Sequence, residues 1–178
     1  MGCYEKLKYT KRKSLQKNRS LSMEGIKKEI IVYTDGGARG NGSKECPAAW
    51  AYTLSYGSHY KEDKGAVYGA TNNQMEMTAI IEALKAIKNK SLPIRVHSDS
   101  AYCIQGITSW IHNWKKKGWI NSKKDPVENK ELWLQMDALV AQCTDIQFIK
   151  VKGHADVIGN IRVDALVNEA MDVLTSSH

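Results

Sequence analysis

The stretch EIIVYTDGG, residues 29–37, opens as a short apolar run and breaks at Asp-Gly-Gly. A run this short, closed by turn-forming residues, predicts a buried strand followed by a tight loop. Asp35 then stands at the carboxyl end of that strand, the end at which α/β sheets hold ligands. Working outward, AWAYTLSY (49–56) and residues 59–68 are rich in aromatic and β-branched residues and flank Gly57, which predicts an antiparallel hairpin. From Asn73 to Lys88 the period changes. Met77, Ile80, Ile81, Leu84 and Ile87 form a helical stripe, and Thr71 with Gln74 fits a capping box at its start. PIRVHSD (93–99) predicts another strand, residues 100–117 one or two short helices, and ENKELWLQMDALVAQ (128–142) an amphipathic helix. DIQFIKVK (145–152) alternates as a strand does. Residues 160–173 predict a last helix, with Ile161, Ala165, Leu166 and Ala170 among its apolar positions. The order of these elements predicts an α/β fold with a mixed sheet.

Four carboxylates fall at the ends of these separate elements: Asp35, Glu76, Asp99 and Asp164. Their surroundings are YTDGG (33–37), TNNQMEM (71–77), VHSDS (96–100) and GHADVIGNIRVD (153–164). Each has an ordinary explanation taken alone. Asp35 could initiate a turn, Asp99 could cap the next helix, and Glu76 and Asp164 could sit in first turns, where the helix dipole favours an anion. Taken together they pose an electrostatic problem. Two anions ~4 Å apart repel by ~4 kcal/mol at an effective dielectric of ~20. A cluster of them persists only if divalent cations or protons neutralise it, so the chain is a candidate metal-dependent enzyme.

Charge is unevenly placed along the 178 residues, whose net charge is +7. Residues 1–30 hold nine Lys/Arg against three Asp/Glu, and residues 110–124 hold five lysines and no acid. That asymmetry suits a polyanionic partner, although a lysine run can also be a solvated surface. Residues 1–28 are polar, basic and without apolar periodicity, and are expected to form a disordered arm. The arm begins Met-Gly-Cys, but Lys6 stands where a myristoylation pattern has Ser or Thr, and Met23 offers an alternative start. The four cysteines are scattered, which favours a reducing compartment over a disulfide framework or zinc site. No apolar run approaches the ~20 residues of a membrane span.

The four signatures, in this order and on these elements, resemble the type 1 ribonuclease H family. The resemblance covers residues 29–173, leaving 1–28 as the arm and 174–178 as a tail. It implies a ribonuclease H-like fold, a five-stranded mixed sheet with helices on both faces. It also implies hydrolysis of the RNA strand of RNA–DNA hybrids with two metal ions, Mg²⁺ or alternatively Mn²⁺, giving 3′-hydroxyl and 5′-phosphate ends. Asp35, Glu76, Asp99 and Asp164 would be the ligands, and His154 in the KGHAD loop would assist proton transfer or product release. That loop departs from the family pattern, which commonly has Gly where Asp156 stands. The stretch SKECPAAWAY (43–52) replaces the usual Gly/Pro-rich start of the hairpin.

For the substrate, the resemblance implies contacts from Asn41, Thr71, Asn72 and Gln74 near the catalytic loops, and from Tyr102 and Asn129. Trp110, Trp114, Trp119, Lys115, Lys116 and Lys117 would belong to a basic protrusion that grips the DNA strand. Core packing is the expected reading for most of these tryptophans, since Trp110 and Trp114 are four residues apart, while phosphate binding better explains the lysines. The separate hybrid-binding domain of some members would need its own core, for which residues 1–28 are too few and too polar. The arm is expected instead to add non-specific electrostatic affinity. A monomer in the cytoplasm is expected, or in the nucleus or an organelle if the host is eukaryotic. The alternatives are a hybrid-binding module without catalysis and a ribonuclease H domain of a reverse transcriptase.

Overall fold

The computed structural model describes residues 28–152 and 158–176. Residues 1–27 of the expected arm, His154, Asp156 and the last two residues lie outside the described residues. Five strands form one sheet in the order β3-β2-β1-β4-β5: β1 (Ile30–Ala38), β2 (Pro47–Tyr56), β3 (His59–Tyr68), β4 (Ile94–Ser98) and β5 (Ile146–Lys150). β1, β2 and β3 pair antiparallel, while β4 runs parallel to both β1 and β5. The helices are α1 (Asn72–Ala86), α2 (Ala101–Gln105), α3 (Ile111–Lys116), α4 (Lys130–Val140) and α5 (Ile158–Ser176). A π turn, Gly106–Trp110, joins α2 to α3 without a break. The last helix therefore continues to Ser176, past the end expected at residue 173.

Period two in the strands divides the core into two layers. On one face Ile30, Val32, Tyr52, Leu54, Ile94 and Val96 pack with Ile80, Ile81 and Leu84 of α1 and with Trp133 and Met136 of α4. On the other face Ala49 and Ala51 of β2 meet Leu166, Val167, Ala170 and Met171 of α5. Small residues on β2 let that helix lie close to the sheet. Ile161, expected in the core, is 54% exposed, and the buried positions at that end of α5 are Asn160 and Val163.

The first strand departs from expectation. It does not stop at Asp35, because Gly36, Gly37 and Ala38 continue the ladder opposite Trp50, Ala49 and Ala48. The altered hairpin start leaves β2 and β3 regular, with Pro47 as the first residue of β2, a position that needs no strand N–H. The capping box is present: Thr71 Oγ1 accepts from Gln74 N–H (3.2 Å), and Gln74 Oε1 accepts from Thr71 N–H (2.9 Å).

Ion pairs tie α5 to the outer strand. Glu62 of β3 accepts from Arg162 Nε (2.9 Å) and Nη2 (2.6 Å) and from Tyr60 Oη (2.7 Å), and Lys64 pairs with Glu169. The Arg162 fork and the Tyr60 hydroxyl hold the Glu62 carboxyl down at about 2. A carboxylate depressed in the folded state stabilises above its unfolded pKa, and that contribution disappears as pH falls through the folded value. The pair is partly exposed and screened by salt, so the effect is small. Glu62→Gln should lower Tm at pH 7 by about 1–3 °C, with the difference from the parent narrowing below pH ~4 and closing near pH ~2. A calorimetric difference that stays constant across that range would show that charge is not the cause.

Candidate active site

Parallel pairing sets two carboxylates side by side. Tyr33 of β1 is in register with His97 of β4, and each lies two residues before an aspartate, Asp35 and Asp99. Two residues along β1 restores the same face, so Asp35 shares the side on which Tyr33 and His97 stack, 4.6 Å between ring centroids, while Asp99 follows directly on the end of β4 at Ser98. α5 covers that side, with Gly159 seated against the Tyr33 ring. Glu76 arrives from α1 where Gly36 lets the two backbones touch. A Cβ at Gly36 would lie 2.3 Å from Glu76 N and from Met75 C.

The result is convergence. Asp35, Glu76 and Asp99 each offer an oxygen within 4.8 Å of the others. Asp164 is exposed and is not one of that trio, but it lines the same cleft of about 490 Å³. The individual explanations of these carboxylates fail in the fold. Asp35 is inside a strand, not in a turn. Glu76 is the fifth residue of α1, beyond its first turn. Ser100, not Asp99, caps α2, its Oγ accepting from Cys103 N–H (3.2 Å). Asp164 is the seventh residue of α5 as described, not in its first turn.

The cluster is electrostatically strained. Burial first, and then the Asp35 and Asp99 charges, push the Glu76 carboxyl well above the usual carboxylate range, against a modest opposing hydrogen bond from Gly36 N–H. Glu76 Oε2 is buried without a hydrogen-bond partner. A buried carboxylate oxygen left unpaired beside two other anions is what a cation-binding site requires, and hard oxygen donors suit hard divalent cations.

Around this centre the polar residues brace one another. Asn41 Oδ1 accepts from Asn72 N–H (3.0 Å), and Asn72 Oδ1 accepts from Ala38 N–H (2.7 Å). With the Thr71–Gln74 box, these bonds lock the β1 exit to the start of α1. Farther away, Asn129 adopts a left-handed conformation (φ 56°), and its Nδ2 donates to Tyr102 Oη (3.2 Å). Trp133 is the hub of the aromatic set, 0% exposed, with Tyr102 at 5.3 Å and Trp114 at 5.4 Å. Trp114 also touches Trp110 and Trp119, and Trp110 is 37% exposed. Lys115, Lys116 and Lys117 are exposed, but Lys115 pairs with Asp137 of α4 at 2.7 Å. Its partner is 22 residues away, invisible to a local charge count.

The family profile described as RNase H matches residues 27–172. The chain belongs to the ribonuclease H family. Ribonuclease H of Clostridium botulinum is 48% identical over 146 residues, 82% of this chain and 97% of that protein. The fold agrees with solved family structures. LC9-RNase H1, a type 1 RNase H with the type 2 active-site motif, superposes with a TM-score of 0.73 at 26% identity, covering 82% of this chain and 73% of that one. LC11-RNase H1, solved in complex with RNA/DNA hybrid, gives a TM-score of 0.61 at 26% identity, covering 82% of this chain and 99% of that one. The resemblance to the type 1 family and to its fold is thus borne out.

Sequence reasoning missed the three other polar or charged side chains of the cleft wall: Arg39, Asn160 and Asn168. The helical pair had a signal. Asn160, Asp164, Asn168 and Asp172 recur every four residues, a polar row along one side of α5.

Proposed function

We propose that the protein is an endoribonuclease that hydrolyses the RNA strand of RNA–DNA hybrids and leaves 3′-hydroxyl and 5′-phosphate ends. The observation that carries this reading is the convergence of Asp35, Glu76 and Asp99 around the unpaired Glu76 Oε2. These three, with Asp164 on the facing helix, would hold two divalent cations, Mg²⁺ or alternatively Mn²⁺. Such ions, when bound, polarise the phosphate and lower the pKa of an attacking water.

The chain's own residues position the substrate. Asn41, Asn72 and Gln74 use their side-chain oxygens in the bonds above, and on this reading their amide N–H groups meet the substrate, Asn72 from the cleft wall itself. A hybrid shows 2′-hydroxyls on one strand only, so small polar groups there favour RNA in the cutting position. Thr71, Tyr102, Asn129, the exposed Trp110, Lys116 and Lys117, and the half-buried Trp114 and Trp119 would face the second strand, which lacks those hydroxyls. Lys115 contributes less, its charge being shared with Asp137. His154 takes part in proton transfer or product release on this reading. One chain supplies every ligand, which supports a monomer. Among the described residues no helix is long and apolar enough to cross a membrane. Free thiols at Cys46, Cys103 and Cys143 support a reducing, cytoplasmic setting.

The test is a labelled hybrid incubated with Mg²⁺, Mn²⁺ or EDTA, beside DNA duplex and RNA duplex of the same sequence. Metal-dependent cleavage confined to the RNA of the hybrid is expected. Cleavage in EDTA, or equal cutting of DNA duplex, would overturn the reading.

A further inference from the structure

Four carboxylates line the cleft, yet the ligand proposed for it is a polyanion. Among the described residues that line it, Arg39 alone carries a positive charge. Its backbone is held where it leaves β1: Arg39 N–H donates to Pro47 O (2.9 Å), and Ala38 N–H donates to Asn72 Oδ1 (2.7 Å). Its side chain reaches across to α5, where Nη2 meets Asp172 Oδ1 at 2.6 Å, and it remains 40% exposed.

A purely structural role accounts poorly for this contact. Asp172 is 64% exposed, and an ion pair so open to water contributes little stability. α5 is also pinned to β3 by Glu62–Arg162 and Lys64–Glu169, and packed on β2 through Leu166, Val167 and Ala170. What the pair does fix is direction. A guanidinium has five N–H donors, and a carboxylate that engages one edge orients the others. Asp172 continues the row of Asn160, Asp164 and Asn168, so it holds the guanidinium on the line of the cleft wall.

We infer that Arg39 grips a backbone phosphate of the strand lying over the carboxylates, and that Asp172 is the residue that positions it. The inference rests on the proposed nucleic-acid substrate, but not on its cleavage. It places a cation on the cutting side of the protein, separate from the lysines of the protrusion.

The test uses the full chain and a fluorescein-labelled hybrid of ~20 base pairs in EDTA, with anisotropy read across a KCl series. Each phosphate contact contributes ~0.9 to the slope of log affinity against log salt. Arg39→Ala should weaken binding about fivefold and make that slope shallower by ~1. Arg39→Lys should keep the slope while recovering only part of the affinity, because it loses the planar fork. Asp172→Asn, which leaves an oxygen to orient the guanidinium, should keep the slope and bind at least as tightly as the parent, whereas Asp172→Ala should keep the slope but lose severalfold in affinity. An unchanged slope in Arg39→Ala overturns the inference. So does Asp172→Asn weakening binding as much as Arg39→Ala with the same loss of Tm, which would make the pair a structural pin. Because binding is read without cleavage, a parent protein that binds hybrid but never cuts it would defeat the proposed function and leave Arg39 to be judged on its own slope.

Discussion

Asp35→Asn is expected to reduce metal-dependent cleavage of hybrid RNA by about 10³-fold or more. Metal-held charge stabilisation is worth several kcal/mol, and each ~1.4 kcal/mol is a factor of ten in rate. The substitution is nearly isosteric. Asn keeps an oxygen to accept from Gly36 N–H, as Asp35 Oδ1 does at 2.9 Å, and the strand pairing to Ala51 is untouched. What disappears is one charge of the three that converge within 4.8 Å. Two signs separate this from misfolding. Hybrid affinity should stay within about threefold, since one lost anion does not remove a phosphate contact. Tm of the metal-free protein should rise by a few degrees, since a repulsion between anions has been relieved. Cleavage by clean Asp35→Asn protein at near the parent rate would sink the mechanism. A lowered Tm would show that Asp35 is a structural residue.

Gly36→Ala should be nearly as damaging without changing any charge. The added methyl would run into one backbone peptide of α1: Glu76 N and Met75 C at 2.3 Å and Met75 O at 2.7 Å. Backbone cannot rotate out of the way as a side chain can, so β1 and α1 must part by about an ångström. Overpacking of this kind costs about 1–3 kcal/mol, or roughly 2–10 °C in Tm. A displacement of ~1 Å at a reacting centre costs about 100-fold in rate. The neighbour supplies the control. A Cβ at Gly37 would touch only Val167 Cγ1 at 3.4 Å, an ordinary contact, so Gly37→Ala should retain most of the activity. Stopped-flow cleavage and thermal melts on the two variants decide the matter. Equal behaviour of the pair would mean that the close approach of strand and helix has no bearing on the chemistry.

These residues also show what a chain discloses before it is folded. Asp35, Glu76, Asp99 and Asp164 were legible because each sits in a local signature, and the Thr71–Gln74 box because capping is a four-residue affair. The continuation of β1 through Gly36 and Gly37 was not. A Gly-Gly pair reads as a break, and only pairing with Trp50 and Ala49 of another strand holds it extended. The same limit hid Lys115–Asp137 and Arg39–Asp172, contacts between elements far apart in the chain. Trp133 could be told from Trp110 only by packing. Gly106 makes room for its indole, since a Cβ there would lie 2.0 Å from the Trp133 ring.

The unbroken run from Ala101 to Lys116 begins two residues after Asp99 and carries Trp110 and Trp114 toward its far end. At ~1.5 Å per residue, Trp114 stands roughly 20 Å along the axis from the start of the run beside Asp99. A rod of set length between a gripping point and a cutting point is a gauge. On the proposed reading, with one strand seated on the far aromatic ledge, the bond that reaches Asp99 would be selected by the width of the duplex and not by its bases. The π turn at Gly106–Trp110 sets the gauge's angle, because one extra residue in a turn rotates all that follows by about 100°. Straightening that turn would keep the length and swing the ledge away from the side on which the cleft opens.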